Sequence, residues 1–333
     1  MADLDTARAA AAAAEQGVRA LSVEELTTDP EVDLVLNLTI PAAHAEIALR
    51  AIAGGKAVYG EKPLAVTLED ARAILDAGRA AGVRVGCAPD TVLGTGVQTA
   101  RKAIDDGAIG QPVAATATMM TPGHERWHPN PDFYYQPGGG PLLDMGPYYV
   151  TALVTLLGPV ESVVGAASHT RATRTIGSGA RAGETVPVDV DTHVTGVLRH
   201  VSGALSTLVM SFDSVATRAS SIEVHGQAGS LVVPDPNGFD GDVLLHELGG
   251  SWETLPPSAG YRGAGRGYGV ADLATTPPGV AARADGALAY HVLEVMTALL
   301  AAADSGTTVA VESRCERPAA VPLSDAPLSD APR

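Results

Sequence analysis

The chain is short of positive charge. Its 333 residues include 22 Lys and Arg against 38 Asp and Glu, which gives a net charge of −16. A nucleic-acid surface needs a basic stripe and a membrane surface attracts polybasic segments, so this balance argues against nucleic-acid and membrane partners. The only two cysteines, Cys87 and Cys315, are too few for a disulfide framework, which favours a reducing cytoplasm.

The sequence also lacks the segments typical of exported and membrane proteins. Its N-terminus has no basic region followed by a leucine-rich stretch, so no signal peptide is predicted. The longest apolar stretch, Ala287–Ala303, is interrupted by His291 and Glu294 and is expected to be too short to span a bilayer. With 46% hydrophobic residues, the chain has enough apolar material for the cores of two domains.

The first part of the chain alternates strand and helix patterns. Val32–Thr39 is a continuous apolar run of the kind found in buried parallel strands. Helical patterns at Ala42–Ala53 and from Thr67 onward separate it from two short strands, Ala57–Gly60 and Val83–Ala88. Strands that alternate with helices predict βαβ units and a parallel sheet.

The pattern changes after about Asp90. A predicted strand, Val113–Met120, leads to a loop rich in proline and aromatic residues, and a helix is expected from about Gly146 to Leu157. Most of the remainder alternates apolar and polar residues, which predicts a mostly antiparallel sheet with one face covered. Within it, Arg171–Glu184 is rich in Gly, Arg and Thr and is expected to be a mobile loop.

A first candidate for chemistry is Gly60-Glu61-Lys62-Pro63, which directly follows a predicted strand. Ligands of open parallel sheets bind outside the carboxyl ends of the strands, so Lys62 could hold a fixed charge there. The alternative is an ordinary surface turn between strand and helix.

A second candidate is Gly138–Tyr149, which begins with three glycines that allow a close approach of the backbone. Asp144 and Tyr148 are four residues apart and therefore share one helix face. Because Asp144 near a helix start also suits an N-terminal cap, a glycine-rich loop followed by a capped helix is the alternative to a functional site.

Together these segments resemble the glucose–fructose oxidoreductase/inositol dehydrogenase/MocA family. The family's Thr-Pro-x-x-x-His pattern recurs at Thr39–His44 with Pro41 shifted by one, and its gapped A…GK…V…EKP stretch recurs at Ala53–Pro63. Its G-G-G-x-L-x-D-x-G motif recurs at Gly138–Gly146, and its late helix resembles Ala287–Ala303. The three motifs follow in the family's order.

The resemblance implies an oxidoreductase that uses NAD or NADP and acts on a sugar or cyclic polyol. Lys62 would lie beside the nicotinamide and stabilise developing alkoxide charge. Asp144 would orient the substrate hydroxyl, and Tyr148 would be the acid/base, at a position where the family usually has His. A tyrosine needs a neighbouring cation such as Lys62 for that role. The implied cofactor contacts are Asp3, Thr39, Pro41, His44, Glu61 and Lys62, and the implied substrate contacts are Trp127, His128 and Tyr149.

The sequence departs from the family at its N-terminus. The family opens with a strand, a G-x-G-x-x-G/A turn and a helix that hold the pyrophosphate, whereas Ala2-Asp3 resembles the end of the family's second strand. The expectation is therefore a truncated dinucleotide-binding unit, through either a mis-set start codon or a genuine loss. In the second case the protein would be a non-catalytic sugar- or partner-binding homologue.

The resemblance and the patterns together predict two domains and a tail. Residues 1–93 are expected to form a truncated Rossmann-type α/β domain, and residues 94–318 an α+β domain with a large open, mostly antiparallel sheet. Residues 286–304 are expected to form a helix that packs back on the first domain. The tail, 319–333, repeats LSDAP and is expected to be disordered. An open apolar sheet face predicts a homodimer or homotetramer.

Two further motifs are interpreted as loops. His124–His128 matches H-E-x-x-H, but the zinc-protease site needs a helix there, which Pro122 and Pro129 disfavour, so no metal site is predicted. The segment is interpreted as a loop at the substrate cleft or on the plain surface. Gly263–Gly269 is glycine-rich but breaks the G-x-G-x-x-G spacing.

Overall fold

The computed structural model describes residues 1–325, which divide into two compact units. The first unit is Met1–Ala88 and the second begins at Pro89, five residues before the predicted boundary. Residues 89–93 join the second unit because the Asp90 carboxylate accepts hydrogen bonds from the backbone N–H groups of Gly267 and Gly269 at 2.9 and 3.0 Å. The Leu93 carbonyl likewise accepts a bond from the Tyr261 N–H.

Helices and short strands alternate in the first unit. They are α1 (Thr6–Gln16), α2 (Val23–Thr28), β1 (Leu34–Asn37), α3 (His44–Ala53), β2 (Ala57–Gly60), α4 (Leu68–Ala81) and β3 (Val85–Cys87). The strands pair in parallel in the order β1-β2-β3, which confirms the predicted βαβ arrangement. Helix α4 begins where expected because the Thr67 side chain accepts a hydrogen bond from the Asp70 N–H at 3.1 Å.

The second unit combines four helices with eleven strands among its described residues. The helices are α5 (Thr95–Asp105), α6 (Gly140–Leu157), α7 (Tyr268–Thr275) and α8 (Gly286–Ser305). The strands are β4 (Pro112–Met120), β5 (Val160–Ser168), β6 (Thr173–Thr175), β7 (Thr185–Pro187), β8 (His193–His200), β9 (Leu205–Ser211), β10 (Ile222–Gly226), β11 (Gly229–Val233), β12 (Val243–Glu247), β13 (Trp252–Leu255) and β14 (Val309–Ala310).

One face of a nine-stranded sheet is covered by helices. The strand order is β13-β12-β11-β10-β4-β9-β8-β5-β14, and every pair is antiparallel except β4 with β9. Helices α6 and α8 lie against the central strands and bury Leu198, Leu208 and Met210. On the opposite face, Val164 and Val197 lie opposite each other and are 47% and 40% exposed. The predicted sheet with one covered face is confirmed.

The segment Arg171–Glu184 differs from the expected mobile loop. It contains β6, which pairs with β7 just beyond the segment, and it buries Arg174 and Ile176. The composition misled because the charged Arg174 points inward, where two carboxylates bind it.

Helix α6 begins six residues earlier than the predicted Gly146. Pro141 lies in its first turn, where its fixed φ suits a helix and its missing N–H is not needed. Gly139 is the N-cap and makes no side-chain cap bond, so Asp144 lies inside the helix and the interpretation of Asp144 as a cap is wrong.

Helix α8 is 20 residues long, which by length and composition alone is enough to cross a membrane; the expectation of a segment too short to span is wrong. Most of the helix is buried, and within the second unit it packs on β5 and α6, as a core helix does. That it also packs back on the first domain stays a prediction.

The expectation of a disordered tail is not met for residues 319–325. Val321 is fully buried and its N–H donates to the Gln98 Oε1 at 2.9 Å. Pro322 and Ser324 form isolated β-bridges with Ala259 and Tyr261. The rest of the predicted tail, 326–333, lies outside the described residues.

Candidate functional site

In the first unit, a polar cluster lies at the carboxyl end of β1. The buried Asn37 side chain donates to the His44 carbonyl at 3.0 Å and accepts from the Thr39 hydroxyl at 2.7 Å. The His44 ring is also buried, with Nδ1 at 2.7 Å from the Pro63 carbonyl and Nε2 at 3.0 Å from the Thr39 carbonyl. His44 therefore ties the turn after β1 to the turn after β2.

The predicted Lys62 lies half-buried in the turn after β2, before a cis Lys62–Pro63 peptide bond. Its N–H donates to the Glu61 carboxylate at 3.2 Å, and the Glu61 N–H donates to the Asn37 carbonyl at 2.9 Å. The structure thus brings five of the six predicted cofactor residues together at the ends of two neighbouring strands, namely Thr39, Pro41, His44, Glu61 and Lys62.

Asp3 is the exception among the predicted cofactor residues. It precedes α1 without lying in a strand, so its expected place at a strand end is wrong. Hydrogen bonding from the Asp5 N–H, together with the Arg8 guanidinium, lowers the pKa of its carboxyl group. The Asp3 carboxylate therefore contacts residues at the start of α1.

In the second unit, α6 carries the predicted Asp144 and Tyr148 one turn apart. The Asp144 Oδ2 lies 3.1 Å from the His124 Nε2, and the two side chains are only 17% and 12% exposed. His124 belongs to a short 3-10 helix, His124–Arg126, on the loop between β4 and α6. Sequence reasoning left this loop either at the substrate cleft or on the plain surface, and it did not predict a partner for Asp144.

Aromatic rings surround His124. Its ring centroid lies 4.4 Å from that of Phe212, 4.8 Å from Tyr134 and 5.2 Å from Trp127. Trp127 is 58% exposed, and His128 packs edge-on against its ring. The predicted substrate residues Trp127 and His128 therefore lie on the same loop as the histidine that contacts Asp144.

The glycine motif serves this loop. A Cβ on Gly139 would lie 2.4 Å from the Phe133 carbonyl oxygen and 2.7 Å from that of Tyr134, closer than real contacts allow. Gly140 has φ +88°, which disfavours any residue with a side chain. The close approach predicted for the glycines is thus made by the protein's own aromatic loop.

A buried ionic network anchors the same loop from below. Arg174, 1% exposed, lies 3.2 Å from the Glu125 carboxylate and 2.6 Å from that of Asp213. The Tyr135 hydroxyl donates to Glu125, and the Thr192 hydroxyl donates to Asp213 at 2.5 Å. Since Glu125 is held in this network, it is not disposed like the base of an H-E-x-x-H zinc site. Among residues 1–325 no group of three or more His, Cys, Asp and Glu side chains is arranged to hold a metal ion.

Tyr148 is buried, and a cation lies over its ring. The Arg266 guanidinium carbon is 5.3 Å from the ring centroid, and its Nη2 donates to the Asn237 side-chain oxygen at 3.0 Å. Arg266 lies in the glycine-rich segment interpreted from the sequence as a plain loop, which Asp90 anchors through Gly267. A cation therefore lies beside the predicted acid/base tyrosine within the second unit itself.

Tyr149, a predicted substrate residue, is almost fully buried. Its hydroxyl donates to the Asp235 carboxylate at 3.2 Å, and burial, with the Asp235 charge, raises its pKa. Tyr149 thus fixes α6 to the loop after β11.

Sequence reasoning missed four residues of these clusters: Asn37, His124 as the partner of Asp144, Arg174 and Arg266. A polar Asn inside the apolar run before Thr39 was a local signal. The H-E-x-x-H match drew attention to His124 but not to its partner, and Arg174 and Arg266 gave no local signal because their partners lie far away along the chain.

Comparison with known proteins gives a separate family match for each of the two units. A family model described as "Oxidoreductase family, NAD-binding Rossmann fold" matches residues 1–88, and a "GFO/IDH/MocA C-terminal domain" matches residues 97–232. A solved structure, an NAD binding oxidoreductase from Klebsiella pneumoniae, superposes with a TM-score of 0.81 at 26% identity. That match covers 94% of this chain and 89% of the other.

Two curated relatives are similar over part of their length. A 1,5-anhydro-D-fructose reductase of Ensifer adhaerens is 36% identical over 232 residues, which are 68% of this chain and 64% of the relative. A levoglucosan dehydrogenase of Pseudarthrobacter phenanthrenivorans is 29% identical over 221 residues, 61% of this chain and 56% of the relative. The matched part of the chain therefore spans less than two thirds of either relative.

Proposed function

Because this chain belongs to the glucose–fructose oxidoreductase/inositol dehydrogenase/MocA family, we propose that it is an NAD- or NADP-dependent oxidoreductase. It would interconvert an alcohol and a ketone or aldehyde of a sugar or cyclic polyol by hydride transfer. The observation that carries the proposal is the polar face of α6, where Asp144 contacts His124 and Tyr148 lies under Arg266. Buried polar groups of this kind are costly unless they serve a function or a partner.

Each proposed catalytic residue has one task. Lys62 supplies a positive charge that stabilises the alkoxide developing on the substrate oxygen. Asp144 accepts a hydrogen bond from a sugar hydroxyl and thereby orients the ring. Tyr148 exchanges the hydroxyl proton, and the guanidinium of Arg266 lies over its ring. Trp127 and His128 would contact the sugar from the aromatic loop.

The first unit has groups for one end of a dinucleotide. When bound, the nicotinamide supplies the hydride acceptor or donor. We assign its contacts to Lys62, Glu61, Thr39, Pro41 and His44, which the structure places at the ends of β1 and β2. Residues 1–88 offer fewer groups that could bind the cofactor's phosphates. This stretch has no G-x-G-x-x-G turn, and the N-cap side chains Asp5 and Thr67 already accept hydrogen bonds from the first N–H groups of α1 and α4. Helix α3 begins without a side-chain cap, and an uncapped helix N-terminus is suited to bind an anion such as a phosphate.

Two measurements test the proposal. The fluorescence of NADH and NADPH titrated with the protein should reveal binding at sub-millimolar concentration. Absorbance at the nicotinamide band should then fall with 1,5-anhydro-D-fructose or rise with levoglucosan, the compounds named for the two relatives. If neither binding nor turnover is detected at millimolar cofactor, the enzyme proposal is rejected and a non-catalytic sugar-binding homologue is favoured.

We also propose that two or four copies assemble through the open face of the large sheet. Val164, Val197 and Leu205 lie on neighbouring strands of this face and are 40% to 47% exposed. Exposed apolar side chains that line one sheet face favour burial against a second copy. Light scattering should give a dimer or tetramer that V197E dissociates, whereas V215E, an 86% exposed position outside the strands, should not dissociate it.

For the compartment, we propose the cytoplasm. Cys87 and Cys315 are both free thiols, and burial raises the pKa of each, most strongly for Cys87. Free thiols that stay protonated suit a reducing environment. Cell fractionation with an antibody against the protein checks this assignment.

A further inference from the structure

We propose that His124 is a positioning residue that fixes the Asp144 carboxylate through its Nε2–H and so sets how the protein holds a sugar hydroxyl. This inference rests on the proposed function, since it gives Asp144 a substrate to bind. It also gives a role to the H-E-x-x-H segment, which the proposed catalytic residues leave unexplained.

The contact is direct and shielded from solvent. His124 Nε2 and Asp144 Oδ2 are 3.1 Å apart, and neither side chain is more than 17% exposed. A hydrogen bond to a carboxylate is stronger than a neutral one, and shielding from water increases that advantage. The bond therefore restricts the rotation of the Asp144 carboxylate.

The imidazole tautomer follows from its two nitrogens. Nε2 faces a carboxylate oxygen, which can only accept, so Nε2 carries the proton. Nδ1 is buried and finds no hydrogen-bond partner within residues 1–325. A buried unpaired N–H is rarer in proteins than an underused acceptor, so Nδ1 carries the lone pair. The imidazole thus acts as a one-directional donor to Asp144.

Other titratable groups also face or adjoin this pair. Burial, with the charge on Asp144, raises the pKa of Tyr134 to about 12, so this phenol stays protonated beside the carboxylate. His128 packs edge-on against the Tyr134 ring. Glu125 and Arg174 belong to the network below the loop and bind each other.

A purely structural role for His124 is the competing explanation, and the loop does not need it. The Gly177 N–H donates to the Glu125 carbonyl at 2.8 Å, and the Ser178 hydroxyl donates to the Trp127 carbonyl at 2.7 Å. The Glu125 side chain is held by Arg174 at 3.2 Å. These bonds anchor the residues that follow His124, and Arg174 also donates to the Pro122 carbonyl before it at 3.3 Å. The bond to Asp144 therefore adds orientation of the carboxylate rather than the fold of the loop.

Paired substitutions test the role of the donor. H124F keeps an aromatic ring among Phe212, Tyr134 and Trp127 but removes the N–H, whereas H124Q keeps an N–H donor at a similar reach. With the sugar that the wild type turns over best, H124F should raise the KM for the sugar about 10- to 100-fold, the value of a hydrogen bond to a charged group. The KM for the cofactor should not change, and H124Q should recover to within about threefold of wild type.

The matched control is H169F, which breaks a histidine–aspartate pair of similar length on the surface. His169 Nδ1 lies 3.3 Å from the Asp191 carboxylate, and the two side chains are 51% and 39% exposed. H169F should leave every kinetic constant unchanged. If H124Q is as impaired as H124F, or if H124F behaves like H169F, the positioning role is wrong.

A second readout does not depend on turnover. Long-range ¹H–¹⁵N spectra of histidine side chains should show one imidazole with the proton on Nε2 that disappears in H124F and shifts in D144N. A proton on Nδ1, or a signal indifferent to D144N, would overturn the inference. If the wild type turns over no sugar while this signal behaves as expected, the proposed function fails and the His124–Asp144 bond stands.

Discussion

The candidate residues of the two units are held in different ways. In the first unit, His44 is fixed by backbone carbonyls of Thr39 and Pro63, in turns at the ends of neighbouring parallel strands. In the second unit, Asp144 and Tyr148 are met by the side chains of His124 and Arg266, which come from separate loops. The first unit therefore carries its geometry in short motifs, and the second depends on contacts between distant segments.

Removing Arg174 should have the largest effect and would show how strongly the second unit depends on distant contacts. In R174M, Glu125 and Asp213 lose the cation that compensates their burial, which should lower the free energy of unfolding by about 3–5 kcal/mol. Urea denaturation measures the loss. R181M is the control, because Arg181 pairs with Asp132 at the surface and should cost about 1 kcal/mol or less. Equal losses for the two variants would contradict this comparison.

Lys62 tests the first unit, where we expect chemistry rather than stability to change. K62A should lower kcat about 10³-fold, because a preorganised charge at the developing alkoxide is removed. Circular dichroism should stay close to wild type. K102A, which breaks only a surface pair with Asp106, is the control and should remain fully active. Substantial turnover by K62A would refute the role assigned to Lys62.

A third prediction concerns pH and the core of the second unit. Burial lowers the pKa of His291 from 6.5 to about 4. The charge of Glu294 opposes this shift, whereas the charges of His200 and Arg314 add to it. The Val160 N–H donates to its Nε2, so the folded state holds the neutral form. As pH falls from about 6.5 toward 4 the unfolded chain binds the proton first, and stability is lost.

Between pH 7.5 and 5 this histidine should account for about 2 kcal/mol of unfolding free energy. Denaturation at the two pH values measures the loss, which should be smaller by that amount in H291Q. The surface variant H169Q should keep the wild-type dependence. A wild-type slope in H291Q would show that His291 does not set it.

Arg266 should show the smallest effect and sharpens the comparison at a single contact. In R266Q the cation over the Tyr148 ring is removed, which at a solvent-exposed arginine is worth about 0.5–1 kcal/mol, or roughly a two- to fivefold fall in kcat. R262Q, four residues earlier and exposed, is the control and should not change kcat. Equal activity of both variants would remove Arg266 from the site.

The sequence was most informative where function follows local pattern. The alternation before Asp90 predicts the parallel strands and helices of the first unit, and Thr67 marks the start of α4 where the structure has it. The sequence was least informative where composition alone was used, because composition does not show which residues a charged side chain contacts in the folded protein. Arg171–Glu184 looks polar and mobile, yet Arg174 is among the most buried side chains because two carboxylates compensate its charge.

Residues at the site follow the same division. The motifs identify Lys62, Asp144 and Tyr148 as residues of interest, but they do not show that Asp144 meets His124 or that Arg266 covers Tyr148. The interpretation of Asp144 as a helix cap failed because Pro141 allows α6 to begin earlier.

By itself the sequence determined the family, the acidic surface and the order of strands and helices, because periodicity and short motifs report what each segment does with its own neighbours. Only the tertiary structure decided the partners of the buried polar groups, the ordered path of residues 319–325 and the contact between Asp144 and His124. The reason is physical: a buried charge must be compensated, but any segment that the fold brings near can provide the compensation.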